Sequence, residues 1–125
     1  MKSRILFLIF LMLFSSQLFA ETGKDIFDRF CIVCHSPSMA PMFNSPAAHD
    51  VKVWNERKAD AFNRVVGNDS SKINLSDAEK DSFAIKELVQ SAINGTDKGM
   101  PPKGTCSECS DDDLKSVIKF MSSSE

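Results

Sequence analysis

Cys31-Ile32-Val33-Cys34-His35 is the stretch on which the fold of this chain turns. On a helix the two thiols lie one turn apart on a shared face, and an imidazole follows at once. Cys-x-x-Cys-His is the attachment pattern of haem c. Thiols at this spacing can add to the two vinyl groups of a single porphyrin, and the histidine then reaches the iron from the proximal side. The plainer alternative is a disulfide or half a zinc site, with His35 incidental. A short exported chain with a helical opening just before the motif favours one haem c, covalently attached at Cys31 and Cys34.

Export is read from residues 1–20. Lys2 and Arg4 give a positive start, Ile5 to Phe14 is an unbroken apolar run, and Ser15 to Ala20 leads to a small residue. This is the layout of a secretory signal, and the run is short for a membrane span. Cleavage is expected after Ala20, leaving 21–125 as one soluble periplasmic domain; a retained leader would instead be an anchor. Haem c is attached outside the cytoplasm, and disulfides persist there.

Bulk properties narrow the choice of partner. The chain has 125 residues and a formal charge of −2, which falls to −4 without Lys2 and Arg4. No basic stripe exists to neutralise phosphates, so a nucleic-acid partner is excluded. Tyrosine is absent and ten phenylalanines supply most of the aromatic volume. About a hundred residues bury a modest core by themselves; a covalent haem would supply an apolar centre.

Three capping boxes punctuate the mature chain. Thr22 with Asp25 opens a helix through Phe30, with Ile26, Phe27 and Phe30 on its apolar face. Ser76 with Glu79 opens a second, with Ile85, Leu88, Val89, Ala92 and Ile93 in one stripe and Gly95 as its stop. Ser110 with Asp113 opens the last, where Leu114, Val117, Ile118 and Met121 recur at helical spacing and Phe120 is set to meet Phe27. Trp54, Ala61, Phe62 and Val65 predict a further helix over 50–66, and Gly67 to Ser71 an exposed turn. Pro37, Pro41 and Pro46 predict a loop over 36–46. Pro41 is the expected acceptor for the outer nitrogen of His35, a bond that would fix the ligand's tautomer.

Met100 lies in the loop Thr96-Asp97-Lys98-Gly99-Met100-Pro101-Pro102-Lys103-Gly104, which cannot be helical. Such a loop can carry a thioether to the far face of the haem, and His/Met ligation is an electron-transfer pairing. Met39 and Met42 follow His35 too closely, and Met121 belongs to a helix stripe. His49 and an open distal site are the alternatives. Cys106-Ser107-Glu108-Cys109 lacks a following histidine. In an oxidising compartment it should close as a local disulfide bracing the Met100 loop against the last helix; thiol exchange is the alternative.

With these residues in view, the chain resembles class I c-type cytochromes, and the cytochrome c₅ group in particular. The general likeness rests on Gly23, Phe27, the Cys31–His35 motif and Met100. The narrower one rests on Ala40-Pro41-Met42-Phe43, Trp54 with Arg57, Ala92 to Thr96, and Met100 to Cys106 continuing into Cys109-Ser110-Asp111-Asp112. The resemblance implies an all-α fold of three to five helices wrapped around one haem. It implies His35 and Met100 as axial ligands, a Cys106–Cys109 disulfide, and Trp54 and Arg57 near the haem propionates. Residues 61–81 have no counterpart in compact members and read as an insertion.

With both axial positions filled, the expected function is one-electron transfer to and from redox partner proteins, not enzymatic turnover. Membrane contact would come only through partners unless the leader is retained. The alternatives are a haem enzyme or gas sensor with an open distal site, and an electron-entry subunit of a larger respiratory complex.

Overall fold

The computed structural model describes residues 21–67 and 69–124; the leader read at 1–20 lies outside the described residues. Helix α1 begins where Thr22 caps it. The Thr22 hydroxyl accepts from the Asp25 N–H, and the Asp25 carboxylate accepts from the Thr22 N–H at 3.0 Å. The helix runs without a break through Gly23–Ile26, Phe27–Cys31 and Ile32–His35. Its middle stretch is π-helical, the Ile32 N–H reaching back to Phe27 O. Such widened turns gather at functional sites, and this one carries no sequence signature. The helix expected through Phe30 therefore continues to the histidine.

Helix α2 (Ala40–Phe43) is a single turn inside the stretch expected to be loop. Prolines do not exclude it, because Pro41 occupies the first turn, where its missing N–H costs nothing. Asn44 ends the turn in the left-handed region at φ 50°. Helix α3 (Val51–Val66) is capped by Asp50, whose carboxylate accepts from the Val53 N–H at 3.2 Å. Helix α4 (Asp77–Asn94) starts on the Ser76–Glu79 box and buries Ala84, Ile85, Val89 and Ala92. Helix α5 (Asp111–Ser122) starts on the Ser110–Asp113 box, and all four residues of its stripe are buried.

These five helices, with no strand among the described residues, make the all-α fold. Residues 61–81 are the end of α3, a 3-10 turn at Ser70–Asn74, and the start of α4. Of the turn read at 67–71, Asn68 lies outside the described residues; after it, the Asp69 carboxylate accepts from the Ser71 N–H and caps the 3-10 turn. Salt bridges Lys58–Asp81 (2.9 Å) and Arg64–Glu87 (3.3 Å) link α3 to α4. Partly exposed as they are, they contribute little stability.

The first and last helices cross closely, and a glycine makes that possible. A Cβ at Gly23 would lie 2.4 Å from the Ser116 carbonyl oxygen. One turn further on, the Phe27 and Phe120 rings meet with centroids 5.5 Å apart, as the apolar stripes predicted. Gly23→Ala should force the helices apart and cost about 2 kcal/mol by overpacking. Thermal melting of the variant should fall by several degrees, read against the unchanged protein under the same conditions.

Candidate haem site

Cys31 and Cys34 are both unpaired and half-buried. Burial, and then the neighbouring Cys34, push the Cys31 thiol up to about 11. At neutral pH it is held as a thiol.

His35 is buried, and the chain returns to bracket it. Its Nδ1 lies 2.8 Å from Pro46 O, and the Ala48 N–H donates to His35 O at 2.7 Å. The Ser45 hydroxyl donates to Cys34 O. The acceptor is therefore Pro46, not Pro41: the turn of α2 and the left-handed Asn44 carry Pro41 outward, where it is exposed, and bring Pro46 under the ring. With a carbonyl facing Nδ1, that nitrogen carries the proton and Nε2 keeps its lone pair. Burial pushes the imidazole below its ordinary value, partly offset by the bond to Pro46. The neutral form, the one that can ligate a metal, is favoured.

Trp54 lies on the first turn of α3 and is 4% exposed. Its indole N–H donates to Ala47 O at 2.8 Å, and its ring stands beside that of His35 with centroids 6.2 Å apart. The resemblance implied a propionate contact for Trp54; in this structure its one donor is given to Ala47. Arg57, one turn further along α3, is half-buried and makes no ion pair among the described residues.

The Met100 loop is held at both ends. The Thr96 N–H donates to Met100 O at 2.9 Å, and the Thr96 hydroxyl accepts from the Met100 N–H at 3.3 Å. Gly95 adopts φ 74° with an extended ψ of 178°, beyond the left-handed helical turn. A Cβ there would come within 2.7 Å of Met100 O. Downstream, the 3-10 turn Pro102–Thr105 packs against the Phe27–Cys31 stretch, which returns the loop to the thiols. Lys103 Nζ donates to Cys109 O at 2.7 Å, and the Cys106 and Cys109 sulfurs are at bonding distance, 1.98 Å. Neither Lys103's role nor the positive φ of Lys103 and Thr105 had a sequence signal.

His49, the other histidine, is committed elsewhere. Its Nδ1 lies 2.9 Å from Ser123 O and its ring meets Phe120 edge-on. Met121 is buried in the core, and Met42 is 76% exposed.

Two thiols, a buried imidazole with Nδ1 committed, and a thioether loop fit a haem. Phe30, Leu88, Ile93 and Met100 pack on the buried core while staying partly exposed, an apolar surface for a porphyrin to cover. A family model described as "Cytochrome C oxidase, cbb3-type, subunit III" matches residues 19–121. The chain belongs to the c-type cytochromes, and membership implies one covalently attached haem c. Within that family it is similar to cytochrome c5 of Azotobacter vinelandii, 32% identical over 103 residues, covering 82% of this chain and 94% of that protein. It is also 32% identical to cytochrome c5 of Ectopseudomonas mendocina over 103 residues, covering 82% of this chain and 90% of that protein.

The Thr96 clamp gives a direct test. Thr96→Val keeps the side-chain shape but loses the acceptor for the Met100 amide, so exchange of that amide with solvent should accelerate about five-fold. Thr96→Ser should leave it unchanged.

Proposed function

We propose that this protein is an exported one-electron carrier, released by cleavage after Ala20, with haem c linked to Cys31 and Cys34. His35 and Met100 would hold the haem iron, Arg57 would pair with a haem propionate, and Cys106 and Cys109 form a disulfide. The observation that carries the reading is the His35 Nδ1–Pro46 O bond at 2.8 Å, directly after a pair of unpaired thiols. It directs Nε2 to be the metal-binding nitrogen. When bound, haem c supplies an iron that alternates between two oxidation states. The residues around it hold imidazole and thioether in place through both states, which keeps rearrangement on electron transfer small. With neither axial position left to a substrate, the protein carries electrons and does not catalyse a reaction of its own.

Ferric protein should show the near-infrared methionine–iron charge-transfer band, and ferrous protein should ignore carbon monoxide. Met100→Ala should lose the band and bind the gas. An open distal site, as in a gas sensor or haem enzyme, predicts the opposite for the unaltered protein.

Docking is read as mainly apolar. Val33 is 60% exposed, Met42 76% and Phe43 44%, close along the chain to the thiols. Lys98 and Lys103 flank the ligand loop, Lys103 held against Cys109 O, so the loop brings two cations to steer an acidic partner beside an apolar face. Transfer rates to the physiological redox partner should therefore fall less than about five-fold between ~10 and ~200 mM salt. Stopped-flow kinetics across that range checks it.

A second reading, the electron-entry subunit of a larger respiratory complex, draws on the description of the matching family model. Co-purification with a membrane oxidase after detergent extraction would favour it over a free carrier.

A further inference from the structure

We propose that Trp54 is a positioning residue for the proximal ligand: it sets how strongly His35 is hydrogen-bonded, and through that the potential of the site. The inference rests on the reading of His35 as an iron ligand. It begins with three consecutive residues. Pro46 O accepts from His35 Nδ1 at 2.8 Å, Ala48 N–H donates to His35 O at 2.7 Å, and the carbonyl between them, Ala47 O, accepts from the Trp54 indole at 2.8 Å. The peptide segment that grips the histidine on two sides is itself gripped in the middle by one buried side chain. The same indole stands beside the imidazole, the ring centroids 6.2 Å apart and the planes 29° from parallel. One residue of α3 thus controls both the partner of Nδ1 and the orientation of the ring.

The sequence resemblance suggested another employment, a contact with a haem propionate. An indole has one N–H and no acceptor, so a donor given to Ala47 O is not available to a carboxylate. Arg57, half-buried one turn along the same helix and without an ion pair among the described residues, is the better placed cation for that anion. The two residues divide the work: Arg57 serves the cofactor's charge, Trp54 the ligand's basicity.

A carbonyl on Nδ1–H makes the imidazole a stronger electron donor and stabilises the ferric state. Releasing Ala47 O loosens the segment, weakens the Pro46 bond and removes part of that donation. The potential should then rise by an amount independent of pH.

Two measurements on the holoprotein test this. In ferrous, isotope-labelled protein the indole proton of Trp54, the single tryptophan of the chain, should show contacts to Ala47 and Ala48. In Trp54→Phe, which keeps an aromatic ring and loses the N–H, the His35 Nδ1 proton should exchange about five-fold faster. Its midpoint potential should rise equally across the pH range, with the methionine–iron band retained. Indole contacts to the propionate methylenes would overturn the proposal. So would a Trp54→Phe potential altered only through its pH dependence, or an unchanged Nδ1 exchange rate. Where the variant fails to load haem, the contacts in the unaltered protein decide. A His35 ring showing no ligation to iron overturns the ligand reading along with the proposal, whereas ligation with the wrong indole contacts overturns the proposal alone.

Discussion

The arrangement depends on one hydrogen bond, from His35 Nδ1 to the carbonyl of Pro46. A neutral imidazole has two nitrogens and one proton, and until something claims the proton either nitrogen can face a metal. Occupying Nδ1 with a half-buried carbonyl removes the ambiguity. It needs the chain to reverse immediately after the helix that presents the histidine, and to arrive with a carbonyl pointing at the ring. The single turn of α2, the left-handed Asn44 and the fixed φ of Pro46 accomplish the reversal. Ser45 and Ala48 then fasten it to the backbone of Cys34 and His35.

The Met100 loop is built by other means. The proximal bracket draws on residues 31–54 and is local in sequence, but the Met100 loop must be carried back from far along the chain. Its anchors are correspondingly non-local. Helix α4 delivers Thr96 and the close approach of Gly95 to Met100 O, and the Pro102–Thr105 turn rests against the thiol-bearing stretch of α1. Beneath both, α1 and α5 close the fold through Gly23 against Ser116 and Phe27 against Phe120. The core behind the site is the meeting of three stripes, from α1, α4 and α5, each begun by its own capping box. Phe30, Leu88 and Ile93 pack against that core while staying partly exposed.

What could be read from sequence follows the range of each interaction. Capping boxes at Thr22, Ser76 and Ser110 were legible because donor and acceptor sit three residues apart, and the apolar stripes because helical period is a local property. Met100 as a loop residue, and the pairing of Phe27 with Phe120, followed from glycine, proline and spacing. The choice of Pro46 over Pro41 was not legible. It depends on the sum of several dihedral angles between residues 36 and 46, and prolines read as breakers concealed the helical turn they permit. The π turn at Phe27–Cys31 and the positive φ of Lys103 and Thr105 have no residue-type signature at all, since packing imposes them. Lys103 looked like a surface charge until its ammonium was found on the Cys109 carbonyl.

The disposition of charge around the site follows from these anchors. Lys103 keeps its charge when it donates to Cys109 O, so the ligand loop presents two cations, Lys98 and Lys103, one of them held in place. The side next to the thiols is apolar and exposed at Val33, Met42 and Phe43. Where few charges flank an apolar face, an encounter relies on desolvation at short range more than on attraction at long range. For a carrier that must leave each partner after one electron this is an advantage: a modest apolar contact without buried ion pairs can form and break quickly.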